Sequence, residues 1–311
     1  MKNIIYFCPS LNTPIGGVKI IHRHSELINK LGGSSELYYG YAHSEEITWF
    51  QHNARIRGES NFNRERDFVI LPESLILNFW RQLKELNIEY GIFVQNGYLV
   101  TKGIAHDELY ECYESAKYII CISEDAVRCV NAFFPHTENK IIRVIYSVDQ
   151  DLFKAAPVKS NTICYMPRKM KEHSDLLTTI LSRKLPHGWE LVPITGMNEM
   201  QVANALAHSK IFLAFSDFEG LPLPPIEAAF SGNVVIGYTG QGGREYWNPP
   251  IFEAVETGDI VSFLTRVMSK VHAFEESGAL LSDGHLALYK EYFSPQMEAR
   301  LLQNMVARIS V

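Results

Sequence analysis

No stretch of the 311 residues approaches the roughly 20 apolar positions needed to span a bilayer. That excludes a transmembrane helix of the usual length and leaves open a peripheral contact with a membrane surface. No block of about five basic residues occurs either, and Lys+Arg 29 against Asp+Glu 35 gives a net charge of −6. Such a chain has no electrostatic footprint for nucleic acid. The five cysteines, Cys8, Cys112, Cys121, Cys129 and Cys164, are odd in number and lack Cys-x-x-Cys spacing, so they read as reduced core thiols. There is no P-loop and no Gly-x-Ser-x-Gly elbow. Gly240-x-Gly242 lacks the third glycine of a dinucleotide fingerprint, because Glu245 stands there. His22 and His24, two apart on a predicted helix with no Cys/His cluster nearby, do not make a zinc site and are expected to be solvated. The N-terminus holds one lysine and a short apolar run ending at Pro9, too little for a signal peptide, and a cytoplasmic location is expected, at most peripheral at the inner face of a membrane.

The composition, 46% hydrophobic and 21% charged, is that of a folded chain, and its length exceeds the comfortable size of one core. Short runs rich in Ile, Val, Tyr and Phe alternate with segments of helical period, which predicts an α/β fold built on parallel sheets. Strands are expected near 3–8, 36–41, 67–71, 90–95, 118–122 and 141–145, with 42–66 as loop plus a short helix. The alternation breaks from Tyr146 to Pro157 and resumes at 162–166, 190–194, 211–215 and 234–238. Two Rossmann-like domains are therefore expected, 1–150 and 151–293. The tail 294–311 begins with Ser294 and Pro295 in helix-capping order and carries Leu301, Leu302, Met305, Val306 and Ile309 at helical spacing, so it should pack back on a domain, the first being the candidate.

The densest signal runs from Phe212 to Gly232. A buried strand ends at Ser216, and a Gly/Pro-rich turn feeds a helix whose first turn is expected to hold Pro224, Pro225 and Glu227. Two carboxylates, Glu219 and Glu227, then stand at the carboxyl end of a parallel strand, where open α/β sheets bind ligands. After the first strand of the second domain come Arg168, Lys169 and Lys171, three cations within four residues that suit an anion such as a diphosphate.

Glu219, Gly220 and, after seven intervening residues, Glu227, followed by Ala228-Ala229, resemble the donor-site signature of retaining glycosyltransferases of the GT-B fold, the glycogen-synthase and mannosyltransferase-like group. The likeness spans nearly the whole chain: Gly16-Gly17 is similar to that family's N-terminal glycine loop, 145–153 to its interdomain linker, and Gly242-Gly243-Arg244-Glu245 to its Gly-Gly-x-Glu turn. The resemblance implies two Rossmann-like domains with a cleft between them. It further implies that Glu227 binds the ribose hydroxyls of a nucleotide-diphosphate sugar and Glu219 the transferred sugar. By the same likeness the backbone of Gly220, Leu221 and Leu223, together with Gly17, faces the donor. Arg168 matches the family arginine on the diphosphate; its lysine partner is expected at Lys171 or Lys169, since His173 occupies the usual place. Pro222 departs from the family glycine and removes an amide donor. Gln95 and Asn96, after the strand at 90–95, stand where relatives carry a histidine on the acceptor or sugar side.

The activity so implied is hexosyl or deoxyhexosyl transfer, with retention, to a glycan, lipid-linked or small-molecule hydroxyl, as in polysaccharide biosynthesis. No cofactor and no metal are expected, because two cations and a helix start already oppose the diphosphate and no Asp-x-Asp metal signature is expected. A nonhydrolysing sugar-nucleotide epimerase and an inactive sugar-nucleotide-binding module are the alternatives. Donor base, sugar, acceptor and oligomeric state are left open.

Overall fold

A computed structural model describes residues 2–9, 15–40, 47–102, 106–278 and 283–310. The chain divides into two compact units, Met1–Tyr146 with Pro295–Val311, and Ser147–Ser294. The division falls inside the segment where the strand-helix alternation breaks.

In the first unit β1 (Asn3–Phe7), β2 (Ser34–Tyr38), β3 (Asp67–Pro72), β4 (Tyr90–Val94), β5 (Tyr118–Cys121) and β6 (Ile141–Arg143) pair in parallel in the order β2-β1-β3-β4-β5-β6. Every residue of β3 and β4 is buried, which is why these strands read as unbroken apolar runs: helices cover both faces. The helices are α1 (Gly16–Lys30), α2 (Ile76–Glu85), α3 (His106–Ser115) and α4 (Glu124–Phe133), α4 being capped by the Ser123 hydroxyl on the N–H of Ala126. Of the segment expected as loop with a short helix, the described part, 47–66, forms no helix. It runs instead beside the edge strand β2, where the N–H of Leu37 meets the carbonyl of Arg55 at 2.8 Å and the N–H of Arg57 meets the carbonyl of Leu37 at 2.7 Å.

The terminal helix (Pro295–Ile309) belongs to this unit, packs on α1 and buries Leu302, Met305 and Ile309 fully. Glu298, also fully buried, accepts from the Arg23 Nε at 2.8 Å. The expectation of solvated histidines fails: His22 and His24 are both wholly buried, His24 against Glu298 of this helix and His22 against Tyr39, Phe50 and His52. His22 holds its imidazole between the Val18 carbonyl (Nδ1, 2.8 Å) and the Tyr39 hydroxyl (Nε2, 2.7 Å). Burial pushes its pKa down to about 4, and burial with the neighbouring Arg23 charge pushes that of His24 down to about 3. Both are neutral spacers of the core at ordinary pH.

In the second unit β7 (Thr162–Tyr165), β8 (Glu190–Pro193), β9 (Ile211–Ala214), β10 (Val234–Tyr238) and β11 (Phe252–Val255) are again parallel, in the order β11-β10-β9-β7-β8. Strand β11 was not legible, because Glu253 interrupts its short apolar run and Pro249-Pro250 precede it. The helices are α5 (Lys171–Lys184), α6 (Glu199–His208), α7 (Leu223–Phe230), the single turn α8 (Gly240–Gly243), α9 (Ile260–Ser277) and α10 (Asp283–Tyr292). Buried Lys159 donates to the carbonyls of Leu206, Ser209 and Ser231, tying the ends of α6 and α7 together. All five cysteines are free and buried, and no helix among the described residues is long and apolar enough to cross a membrane.

Removing the guanidinium that answers a buried carboxylate leaves that charge uncompensated. Arg23→Ala is expected to cost about 3 kcal/mol of stability by loosening the terminal helix from α1. Urea unfolding of the two proteins checks this, and an unchanged midpoint would show that the pair contributes nothing to docking.

Candidate functional site

In each sheet the chain leaves one strand for its neighbour on one side and then crosses to the other side. In the second unit this reversal falls between β7 and β9, the place where open parallel sheets form a ligand crevice at their carboxyl ends. The loops after these two strands meet there: the Lys169 ammonium of the β7 loop pairs with Glu219 Oε1 of the β9 loop. Both side chains are partly exposed, at 41% and 24%. Each loop also holds an apolar residue in the left-handed region, Met170 at φ 42° and Phe218 at φ 47°, conformations that cost energy and cluster where a loop is held for a purpose.

The shape of the β9 loop is fixed from α8. Gln241 accepts from the N–H of Glu219 at 3.3 Å and donates to Asp217 Oδ1 at 3.2 Å, while Asp217 Oδ1 also accepts the N–H of Phe218 at 3.0 Å. The N–H of Gly242 reaches the carbonyl of Glu219 at 3.0 Å, and backbone lies against backbone here: a Cβ on Gly242 would stand 1.6 Å from the Gly220 carbonyl oxygen. The Tyr246 hydroxyl donates to the Pro222 carbonyl at 2.8 Å and sets the start of α7.

Among the cations expected on a diphosphate, Arg168 is exposed in the turn after β7 and Lys169 reaches Glu219. Lys171 does not join them: it opens α5 and pairs along the helix with Asp175, and both are well exposed. His173 turns inward, its Nδ1 3.1 Å from the Tyr238 hydroxyl. Glu227, half-buried, is the fifth residue of α7 and so lies in its second turn, not the first as its spacing suggested. Gly220 and Leu221 are buried and Leu223 is half-buried. Pro222, Pro224 and Pro225 strip N–H groups from the helix start, which leaves Gly220, Leu221 and Leu223 as the backbone donors ahead of its first internal bond.

In the first unit the reversal falls between β1 and β3, and α1 begins after β1 with Gly16 and Gly17. Gln95, after β4, donates from Nε2 to the Gly17 carbonyl at 3.4 Å, and a Cβ on Gly17 would sit 3.0 Å from the Gln95 amide. Asn96 caps a single 3-10 turn (Gly97–Leu99) by accepting the N–H of Tyr98 at 3.0 Å. Glu73, at the end of β3, underlies both, accepting the N–H of Gln95 at 3.2 Å and of Asn96 at 3.0 Å. An acid directly after the apolar run 68–72 is the signal that could have found Glu73. Gln241 and Asp217 gave no such signal, since their role exists only where α8 meets the β9 loop. One Asp-x-Asp spacing does occur, at Asp149-Gln150-Asp151; its first carboxylate accepts the N–H groups of Asp151 and Leu152 in a turn.

No family model matches the chain. It is similar to an alpha-1,6-glucosyltransferase of Actinobacillus pleuropneumoniae serotype 7 (strain AP76), 24% identical over 294 residues covering 87% of this chain and 84% of that protein. Among solved structures it is similar to sucrose-phosphate synthase of Thermosynechococcus elongatus, with a TM-score of 0.75 at 11% identity over 99% of both chains. It is likewise similar to HepE of Anabaena in complex with UDP and glucose, with a TM-score of 0.72 at 9% identity over 100% of both chains. The lipopolysaccharide outer core galactosyltransferase WaaB superposes with a TM-score of 0.65 at 15% identity, over 98% of this chain and 99% of that one. The two parallel sheets, of six and five strands, are those of the GT-B glycosyltransferase fold.

The backbone contact under Gly242 admits no side chain. Gly242→Ala is expected to push α8 off the β9 loop and to cost about 3 kcal/mol, read as a lowered thermal midpoint. A variant as stable as the parent would show that the two turns part freely.

Proposed function

We propose that this chain is a retaining glycosyltransferase that moves a sugar from a nucleotide-diphosphate donor to an acceptor hydroxyl without a metal. The observation that carries the reading is the apposition of Lys169 and Glu219 at the β7/β9 reversal, beside the start of α7 with Glu227 on it. A cation and a carboxylate there match the two needs of a sugar diphosphate: an opposing charge for the phosphates and an acceptor for sugar hydroxyls. In the reading, Glu227 takes the ribose hydroxyls, Glu219 the hydroxyls of the transferred sugar, and Arg168 and Lys169 the diphosphate. Lys169 is preferred to Lys171 because Lys171 is directed to Asp175 on the outside of α5. The bond between the anomeric carbon and the diphosphate oxygen breaks, and the acceptor oxygen forms the new bond on the same face. The acceptor proton passes to the departing phosphate. Charge grows on the leaving group, so cations fixed beside it stabilise the transition state more than the ground state. Gln95 and Asn96 on the first unit are assigned to the acceptor or sugar side. HepE in complex with UDP and with UDP-glucose, together with the glucosyltransferase relative, makes uridine diphosphate glucose the first donor to try.

Two measurements test the reading. A thermal-shift panel of UDP, GDP, ADP, CMP and dTDP forms should show a rise of roughly 5 to 10 °C for at least one diphosphate at about a hundred times its Kd, and a much smaller one for the nucleoside. No response to any of them would remove the physical basis of the proposal. Glu227→Ala should keep the fold and weaken that donor by about 1.5 to 3 kcal/mol, the worth of hydrogen bonds to a charged acceptor.

Transfer should also persist in chelator, because side-chain cations rather than a bound ion meet the leaving diphosphate. Activity lost in chelator and restored by magnesium or manganese would overturn the metal-independent part alone.

A further inference from the structure

Glu73 is an uncommon object: a carboxyl 3% exposed, enclosed by apolar strands, at the end of a strand flanking the β1/β3 reversal. Its own N–H is spent on the Phe93 carbonyl at 3.1 Å, so the residue is pinned to β4. Its two oxygens are divided: Oε2 accepts the N–H of Gln95 and Oε1 that of Asn96. Two consecutive backbone N–H groups are thereby aimed at one buried carboxylate. A strand would send consecutive N–H groups to opposite sides, so the chain bends out of β4 at Gln95, and this carboxylate holds the bend by accepting both. The bend delivers the Gln95 amide to the Gly17 carbonyl at the start of α1.

We propose that Glu73 is a positioning residue of the first unit's site: its ionised carboxylate holds the Gln95–Asn96 corner in the geometry that presents the Gln95 amide to a sugar hydroxyl. The role rests on the glycosyltransferase reading and adds to it a dependence on one proton. A carboxylate offers lone pairs on both oxygens, whereas a protonated carboxyl turns one oxygen into a donor facing an N–H. Protonation therefore releases one of the two amides. Burial raises the pKa of Glu73 to about 7, against the pull of three backbone N–H groups, those of Gln95, of Glu73 itself and of Asn96, and, least, of Lys102. The other titratable groups facing it are Tyr113 of α3 and Cys121 of β5. Burial pushes both upward, Cys121 to about 12 and Tyr113 well above its ordinary value, so neither titrates near neutrality. An unfolded glutamate loses its proton near pH 4.3, so Glu73 weakens the fold progressively as pH rises from there to about 7. A group that costs stability when charged, yet is held where its charge orders a corner, fits retention for function.

The test uses the full chain labelled with 15N. The amide resonances of Gln95 and Asn96 are expected to move together with a midpoint near pH 7 and to be flat in Glu73→Gln. Over the same midpoint kcat/KM for sugar transfer should rise about tenfold with pH, the loss of one charge-assisted hydrogen bond, and stay flat and low in the variant, with donor affinity on the second unit unchanged. Should Glu73→Gln not fold, Lys102→Met, at an exposed position, removes the charge that favours ionisation and should move the midpoint upward. Amides that do not titrate, that titrate equally in Glu73→Gln, or that keep their midpoint in Lys102→Met overturn the proposal, as does a titrating corner with a flat kcat/KM. A chain that binds no nucleotide would instead sink the glycosyltransferase reading, because the amide titration reads the corner with no substrate present.

Discussion

Both candidate sites depend on where the chain reverses its direction of crossing within a parallel sheet. Parallel strands need a long connection on one face for each pairing, so helices cover both faces and every strand ends at the same edge. Where successive connections depart to opposite sides, as between β1 and β3 and between β7 and β9, no helix closes the gap between the two strand ends. Loops there can face each other. Lys169 meets Glu219 across one such gap, and Glu73 flanks the other.

The two places hold charge in opposite ways, and the difference follows from exposure. The Lys169–Glu219 pair is partly solvated, so it adds little to stability and can rearrange around an anion at small cost. Its cation balances the carboxylate beside a helix start that prolines have left poor in donors. Glu73 is buried and forms no salt bridge among the described residues, and backbone N–H groups compensate its charge. That arrangement is stiff, since moving the carboxylate unpairs two amides in a dry setting.

The remaining structure supplies rigidity behind these loops. Gln241 and Gly242 hold the β9 loop from α8 through side-chain and backbone contacts, and Tyr246 fixes the first turn of α7. In the first unit, the terminal helix closes over α1, and the Arg23–Glu298 pair lets it bury a carboxylate beside the neutral imidazole of His24. Two left-handed apolar residues, Met170 and Phe218, stand beside the ion pair.

Local pattern was enough for much of this. Apolar runs bounded by turn residues marked the strands, because a strand buried on both faces must be apolar at every position; β11 escaped because Glu253 and Pro249-Pro250 break that rule. The carboxylates Glu219 and Glu227 and the cations from Arg168 to Lys171 stood out through their placement after strands. What sequence could not supply was which side chain meets which. Lys169 and Lys171 differ by two positions, yet one opens the crevice side of a turn and the other lies along a helix. His22 and His24 looked solvated, yet Tyr39, Phe50 and His52 cover the first and Glu298, on a helix from the far end of the chain, lies against the second. Glu73 looked like any acid after a strand; only the bend of β4 brought two N–H groups to it. Sequence by itself determined the period of burial, which is a property of neighbouring residues. Tertiary structure decided the partners, because a hydrogen bond or ion pair forms between groups distant in the chain and depends on the last few ångströms of packing.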